Sequence, residues 1–181
     1  MDEAQIIEAL RSGDLDRRVI ALDEAARMTG ALMAESIRAF VESEARFPIA
    51  ARLFKFGPAI IPMLEDLLNQ PIVDDARNHT AALLLELGSK AGVPHLLSIL
   101  ENNRHSSPMA ALVLGKAGIR EAAPFICRVL EKWDCAADPY TAATFVDALK
   151  KVDAIPDLLK ESLRRKWPAT MAPALEKLLE G

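Results

Sequence analysis

Aromatic side chains are scarce in this chain of 181 residues: six Phe, two Trp and one Tyr make up 5% of it. Half of the residues (51%) are nevertheless hydrophobic, so the apolar content is mostly Ala, Leu, Ile and Val. Ala and Leu are strong helix formers and β-branched clusters are few, which favours an all-α protein. Cysteine is nearly absent. Cys127 and Cys135 form neither a CxxC pair nor a disulfide ladder, which excludes a disulfide scaffold and suits a reducing cytosol. No long block of one charge occurs and the net charge is −4. Phosphate affinity is largely electrostatic, so nucleic acid is an unexpected partner. The start, "MDEAQIIEAL", is acidic and amphipathic rather than basic and continuously apolar, unlike a secretory leader. Apolar runs such as "TAALLLEL" are too short to span a bilayer. No GxGxxG, GxxxxGK[ST], HExxH or GxSxG occurs. These absences lead to the expectation of a cytoplasmic protein with no membrane span, no cofactor and no catalytic signature.

What the chain does have is repetition. Pro62, Pro94, Pro124 and Pro156 recur at intervals of about 30–32 residues, the mark of a helical repeat array. The second, fifth and sixth residues after the first three prolines are apolar: Leu64, Leu67 and Leu68, or Leu96, Ile99 and Leu100. Steps of three and four put each set on one helical face. Proline fits the first turn of a helix, where its missing N–H has no intrahelical partner.

Between these marks the spacing predicts second helices over Asp74–Gly88, Ser106–Gly115 and Asp138–Leu149. Asp74 or Asp75 is the expected N-cap of the first, and Gly88 its stop. Leu83, Leu84, Leu85 and Leu87 cannot share one narrow stripe, so this helix is expected to be covered on several sides. The N-terminal third reads as Ala4–Leu10 with Leu15–Met28, then Ala34–Glu44 with Pro48–Phe56. The last pair is Pro156–Arg165 with Pro168–Leu179, although "PALEKLL" after Ala172 repeats the word that begins at Pro62. About six hairpins of roughly 30 residues account for the whole length.

The segment "LLNQPIVDDARNHTAALLLELGSKAGVPHLLSIL" resembles a HEAT repeat, especially the short bacterial type of phycobilin lyases. Leu87-Gly88 with Val93-Pro94, and Leu114-Gly115 with Ala123-Pro124, carry the likeness. The usual Asp with Val-Arg at the second helix is mostly missing; Asp14 with Arg17-Arg18 comes nearest. The likeness covers 57–163, with irregular hairpins over 1–56 and a cap over 164–181. It implies one domain, a right-handed α-α superhelix, or HEAT-like solenoid, of about six hairpins.

Second helices usually line the concave face of such an array. That face would draw on Arg17, Arg18, Arg52, Arg77, Asn78, His79, Arg104, His105, Tyr140 and Thr144, and end near Arg165 and Trp167. It is basic within an acidic protein, which suits an acidic peptide or protein partner anchored by arginines and aromatics. Pairing Gly88 with Gly115 sets His79 over Ser106 and Asn78 over His105. His79, four residues after Asp75, then has His105 as its one candidate co-ligand, too few for a metal. His95 is expected on the outer helix layer, Cys127 as a packing residue, and Cys135 in an exposed loop beside Trp133. A protein-binding scaffold is therefore the expected function. The family's bilin lyases and isomerases suggest a tetrapyrrole-binding alternative. Its DNA glycosylases suggest a nucleic-acid one, which the charge balance opposes.

Overall fold

The computed structural model describes residues 1–27, 31–102 and 105–180, with the side chain of Ala31 outside the description. All regular structure among these residues is helical. The helices gather into two compact units, Met1–Gly92 and Val93–Gly181. The first holds α1 (Glu3–Arg11), α2 (Leu15–Ala25), α3 (Ala31–Glu42), α4 (Arg46–Leu53), α5 (Ile61–Leu68) and α6 (Asp74–Glu86). The second holds α7 (Val93–Asn102), α8 (Ser107–Lys116), α9 (Ala123–Lys132), α10 (Pro139–Lys151), α11 (Asp157–Lys166) and α12 (Ala172–Glu180). Met28, expected at the end of α2, lies outside the described residues.

The helix starts follow from sequence. Asp2 and Gln5 form a reciprocal capping box on α1, with Asp2 Oδ1 accepting from the Gln5 N–H at 2.8 Å. Asp14 caps α2 through the Asp16 and Arg17 N–H groups, and Asp138 caps α10 through Thr141. α6 differs from expectation. Its N-cap is Val73, and Asp74 and Asp75 are already in the first turn, where they complement the positive end of the helix. Pro62, Pro94, Pro124 and Pro173 are each the second residue of a helix that follows a 3₁₀ turn. Pro156 instead stands one residue ahead of α11, as its N-cap.

Three helices stop in the same way. After α6, the Gly88 N–H reaches Leu85 O at 3.0 Å and the Ser89 N–H reaches Leu84 O at 2.9 Å. After α8, Gly118 and Ile119 do the same to Gly115 and Leu114; after α10, Asp153 and Ala154 do so to Lys150 and Leu149. These are Schellman stops, which need a left-handed residue just past the helix. Gly88 (φ 94°), Gly118 (φ 69°) and Asp153 (φ 52°) supply it. Asp153 is the one non-glycine residue at positive φ among the described residues. Exchanging it for glycine is expected to stabilise the second unit by about 0.5–1 kcal/mol, read as a higher urea midpoint.

These stops correct the expected register. Gly88 corresponds to Gly118, the same interval that separates Pro94 from Pro124, and not to Gly115, which lies inside α8. His79 then matches Met109 rather than Ser106, Asn78 matches Pro108, and Asp75 matches His105.

The apolar stripes meet within each unit. In the first, α1 packs on α2 and α3, α2 on α3 and α4, α3 on α4, α4 on α6, and α5 on α6. In the second, α7 packs on α8 and α9, α8 on α10, α9 on α10 and α11, α10 on α12, and α11 on α12. Even-numbered helices thus touch one another in order within each unit. Phe40, Ile6, Leu10, Leu22, Ile49, Leu53, Leu64 and Leu84 form the fully buried centre of the first. Each such side chain contributes about 1.5–3 kcal/mol by leaving water. α6 is buried from Thr80 to Leu85 without interruption, as its leucine run requires.

The segment Arg46–Leu68 contains an 18-residue stretch of mean hydropathy 1.3, apolar enough for a bilayer-spanning helix by length and composition alone. In the structure it comprises α4, a 3₁₀ segment and α5, with Gly57 outside helical geometry at φ 62°, ψ −154°.

An acid-base network ties α1 to α3. The Glu35 carboxylate accepts from Arg11 Nη2 at 2.8 Å and from Arg38 Nη2 at 2.6 Å, and Arg38 also reaches Glu42. The two guanidinium hydrogen bonds hold the Glu35 pKa at about 2, down from 4.5. The stabilisation is complete above the unfolded value of 4.5 and is lost as pH falls through about 2. Glu35→Gln is expected to cost about 1 kcal/mol at pH 7. The difference from the unsubstituted protein should shrink as pH falls below about 4 in parallel urea titrations.

Candidate functional site

The even-numbered helices of the first unit carry half of the anticipated site residues. Arg17 is exposed and lies 3.7 Å from Glu8. Arg18 is half-buried; its Nε has no hydrogen-bond partner, and it makes no ion pair among the described residues. Arg52 donates to Pro48 O at 3.2 Å and stands 4.0 Å from Asp23, which also holds Lys55 at 2.7 Å. Arg77 donates to Gln70 O at 3.1 Å and pairs loosely with Asp74. The expected basic strip is therefore largely neutralised by carboxylates on the same and adjoining helices.

Arg46, absent from the expected strip, organises the packing of α4 on α6. It donates to Asp75 Oδ2 at 3.0 Å and to Val41 O at 3.1 Å, with its side chain only 14% exposed. His79 shares Asp75, with Nε2 at 3.8 Å from Oδ1, and lies 6.5 Å from the Phe47 ring. Burial pushes the His79 pKa below 6.5, against the pull of Asp75 and with the help of Arg46, so the imidazole is neutral at pH 7. No group of three or more His, Cys, Asp or Glu side chains that could hold a metal occurs among the described residues.

Several expectations about individual side chains need correcting. Asn78 (5% exposed) and Trp167 (7%) are buried by neighbouring helices and contribute almost no accessible surface. Cys135 is buried as well, and burial raises its thiol pKa. Cys127 is half-buried, also with a raised pKa. In the second unit Tyr140 is widely accessible on α10, and Thr144 Oγ1 donates back to its carbonyl at 3.4 Å. Arg165 faces Glu161 at 3.6 Å. His105 is exposed in the turn before α8, and Arg104 lies outside the described residues.

The structure adds an apolar feature to the arginines. Large apolar side chains of the first unit that stay in water are Leu15 and Ile20 on α2, Phe47 and Phe54 on or just after α4, and Val73 at the start of α6. Phe47 is 73% exposed and Ile20 58%. Apart from Met1, none of this kind lies on or beside α1, α3 or α5 among the described residues. The seven-residue interval from Phe47 to Phe54, around the exposed Ala51, was available in the sequence as a second apolar stripe on α4. So was the absence of any acid between Glu44 and Glu65.

Comparison with family models, curated proteins and solved structures finds no match to this chain.

Proposed function

We propose that this chain is a HEAT-like docking module without catalytic activity, which holds a protein or peptide segment along the accessible side of α2, α4 and α6. The supporting observation is that, within the first unit, the large wetted apolar side chains other than Met1 lie on or beside these three helices. Isolated exposed leucines are ordinary, but aromatic and aliphatic side chains exposed on successive packed helices that also carry arginines have the composition of binding hot spots. Arg18, which has no carboxylate partner among the described residues, and the acid-free stretch through α4 favour a segment that brings acidic groups. In this reading the hairpins of each unit are HEAT-like, as the resemblance to HEAT repeats implies.

Ile20 and Phe47 test it, because both are exposed and their replacement should leave the fold intact. The double variant Ile20→Asp/Phe47→Asp is expected to weaken partner capture at least about 30-fold, the equivalent of one hot spot. Its thermal midpoint should stay within a few degrees of the parent. Undiminished capture by a folded double variant would remove the site.

A further inference from the structure

The second unit contains a cleft of about 380 Å³ between the last turn of α7 and the outer side of α9. That volume falls within the range of small-molecule sites. Its apolar walls are Leu100, Val129 and Trp133. The Trp133 ring is held edge-on against Phe145, with centroids 5.1 Å apart, so this wall is fixed. Its polar groups are unevenly matched. Arg128 is engaged, 3.2 Å from Glu101 and with its guanidinium 4.8 Å above the Phe125 ring. That pair uses the one carboxylate of the lining. Lys132, one turn further along α9, has no ion-pair partner among the described residues. Its charge complements the negative end of α9, but that does not account for the open cleft beside it, whose lining also includes Asn102 and Ser107.

A cation would meet Lys132 and Arg128 unfavourably, and a neutral apolar molecule would leave Lys132 unused. We propose that this cleft binds a small organic anion: an aromatic or alkyl body against Leu100, Val129 and Trp133, and a carboxylate at Lys132. This site shares no residue with the docking face on α2, α4 and α6.

The test uses 4-phenylbutyrate and its uncharged counterpart 4-phenylbutan-1-ol as probes, titrated into the full chain. The readout is the Trp133 indole signal in ¹H–¹⁵N spectra. The acid should shift that signal saturably and bind about fivefold more tightly than the alcohol, the value of one accessible charge pair. Lys132 is exposed, so Lys132→Ala should fold normally and bind both probes equally. An unmoved Trp133 signal, equal binding of the two probes to the parent chain, or a preference for the acid that survives in Lys132→Ala would each overturn the proposal.

Discussion

Gly115→Ala is expected to destabilise the second unit by about 2 kcal/mol, although alanine is the better helix former by about 1 kcal/mol. Gly115 lies inside α8, where an added methyl would come within 2.6 Å of Ala148 Cα and 2.8 Å of Ala148 Cβ on α10. Ala148 is itself fully buried, so neither helix has a flexible side chain to move aside. The two backbones must part, and the packing of Ala111, Leu114, Phe145 and Leu149 around them loosens together. Overpacking of this kind costs about 1–3 kcal/mol in a dense interior, which outweighs the gain in propensity. Both tryptophans, Trp133 and Trp167, belong to this unit, so urea unfolding followed by intrinsic fluorescence reads it directly. A raised midpoint would mean that the helices do not touch at this position.

Phe40→Ala should cost still more, about 3–5 kcal/mol. Phe40 sits on α3 with no accessible surface, in one core with Ile6, Leu10, Leu22 and Leu53. Removing its ring leaves a cavity among packed helices, which collapses only partly. Phe47→Ala supplies the contrast, since Phe47 is 73% exposed and its loss should change stability by no more than about 0.5 kcal/mol. Circular dichroism during urea unfolding, applied to both variants, measures the difference. Similar losses for the two would contradict the assignment of α3 to the core and of Phe47 to the surface.

The hairpin boundaries were legible because proline and capping aspartates act locally. Pro62, Pro94 and Pro124 mark helix starts, and Asp138 caps α10 as its place before Pro139 suggests. The stripes after these prolines turn inward as their spacing requires, with Leu64, Leu67, Leu96, Ile99 and Leu100 buried. The register of the second helices was not legible, and glycine explains why. Leu87-Gly88 and Leu114-Gly115 look alike in sequence, but Gly88 supplies a left-handed stop and Gly115 a close approach between helices. One residue type serves two purposes that the sequence does not distinguish. The real counterpart of Gly88 in the third stop is Asp153, which no glycine pattern would find.

Part of the candidate site was readable too, and the remainder depended on tertiary partners. Arg17, Arg52, Arg77 and Tyr140 are accessible or half-accessible on even-numbered helices, as the hairpin pattern suggested. Their charge state as a group was not readable, because the compensating carboxylates arrive from other parts of the chain. Glu8 on α1 meets Arg17 and Asp23 on α2 meets Arg52, whereas only the Asp74–Arg77 pair, three residues apart, is local. The burial of Cys135 and Trp167 escaped for the same reason: each follows a helix end and looks like loop until its neighbours cover it. The Phe47–Phe54 interval was present in the sequence, but an apolar stripe on a short helix reads as core until the packing shows which face it occupies.

The docking face itself is tested most directly by site-specific photo-crosslinking. A benzophenone amino acid placed singly at Ile20, Phe47 or Phe54 samples the even-numbered helices and their ends; placed at Glu3 or Glu42, it samples positions on α1 and α3 that still reach solvent. In extracts of the source cell, the first three positions should capture one common protein and the last two should not. Crosslinks to that protein from Glu3 and Glu42, with none from Ile20, Phe47 or Phe54, would place the partner on α1 and α3 and refute the docking face.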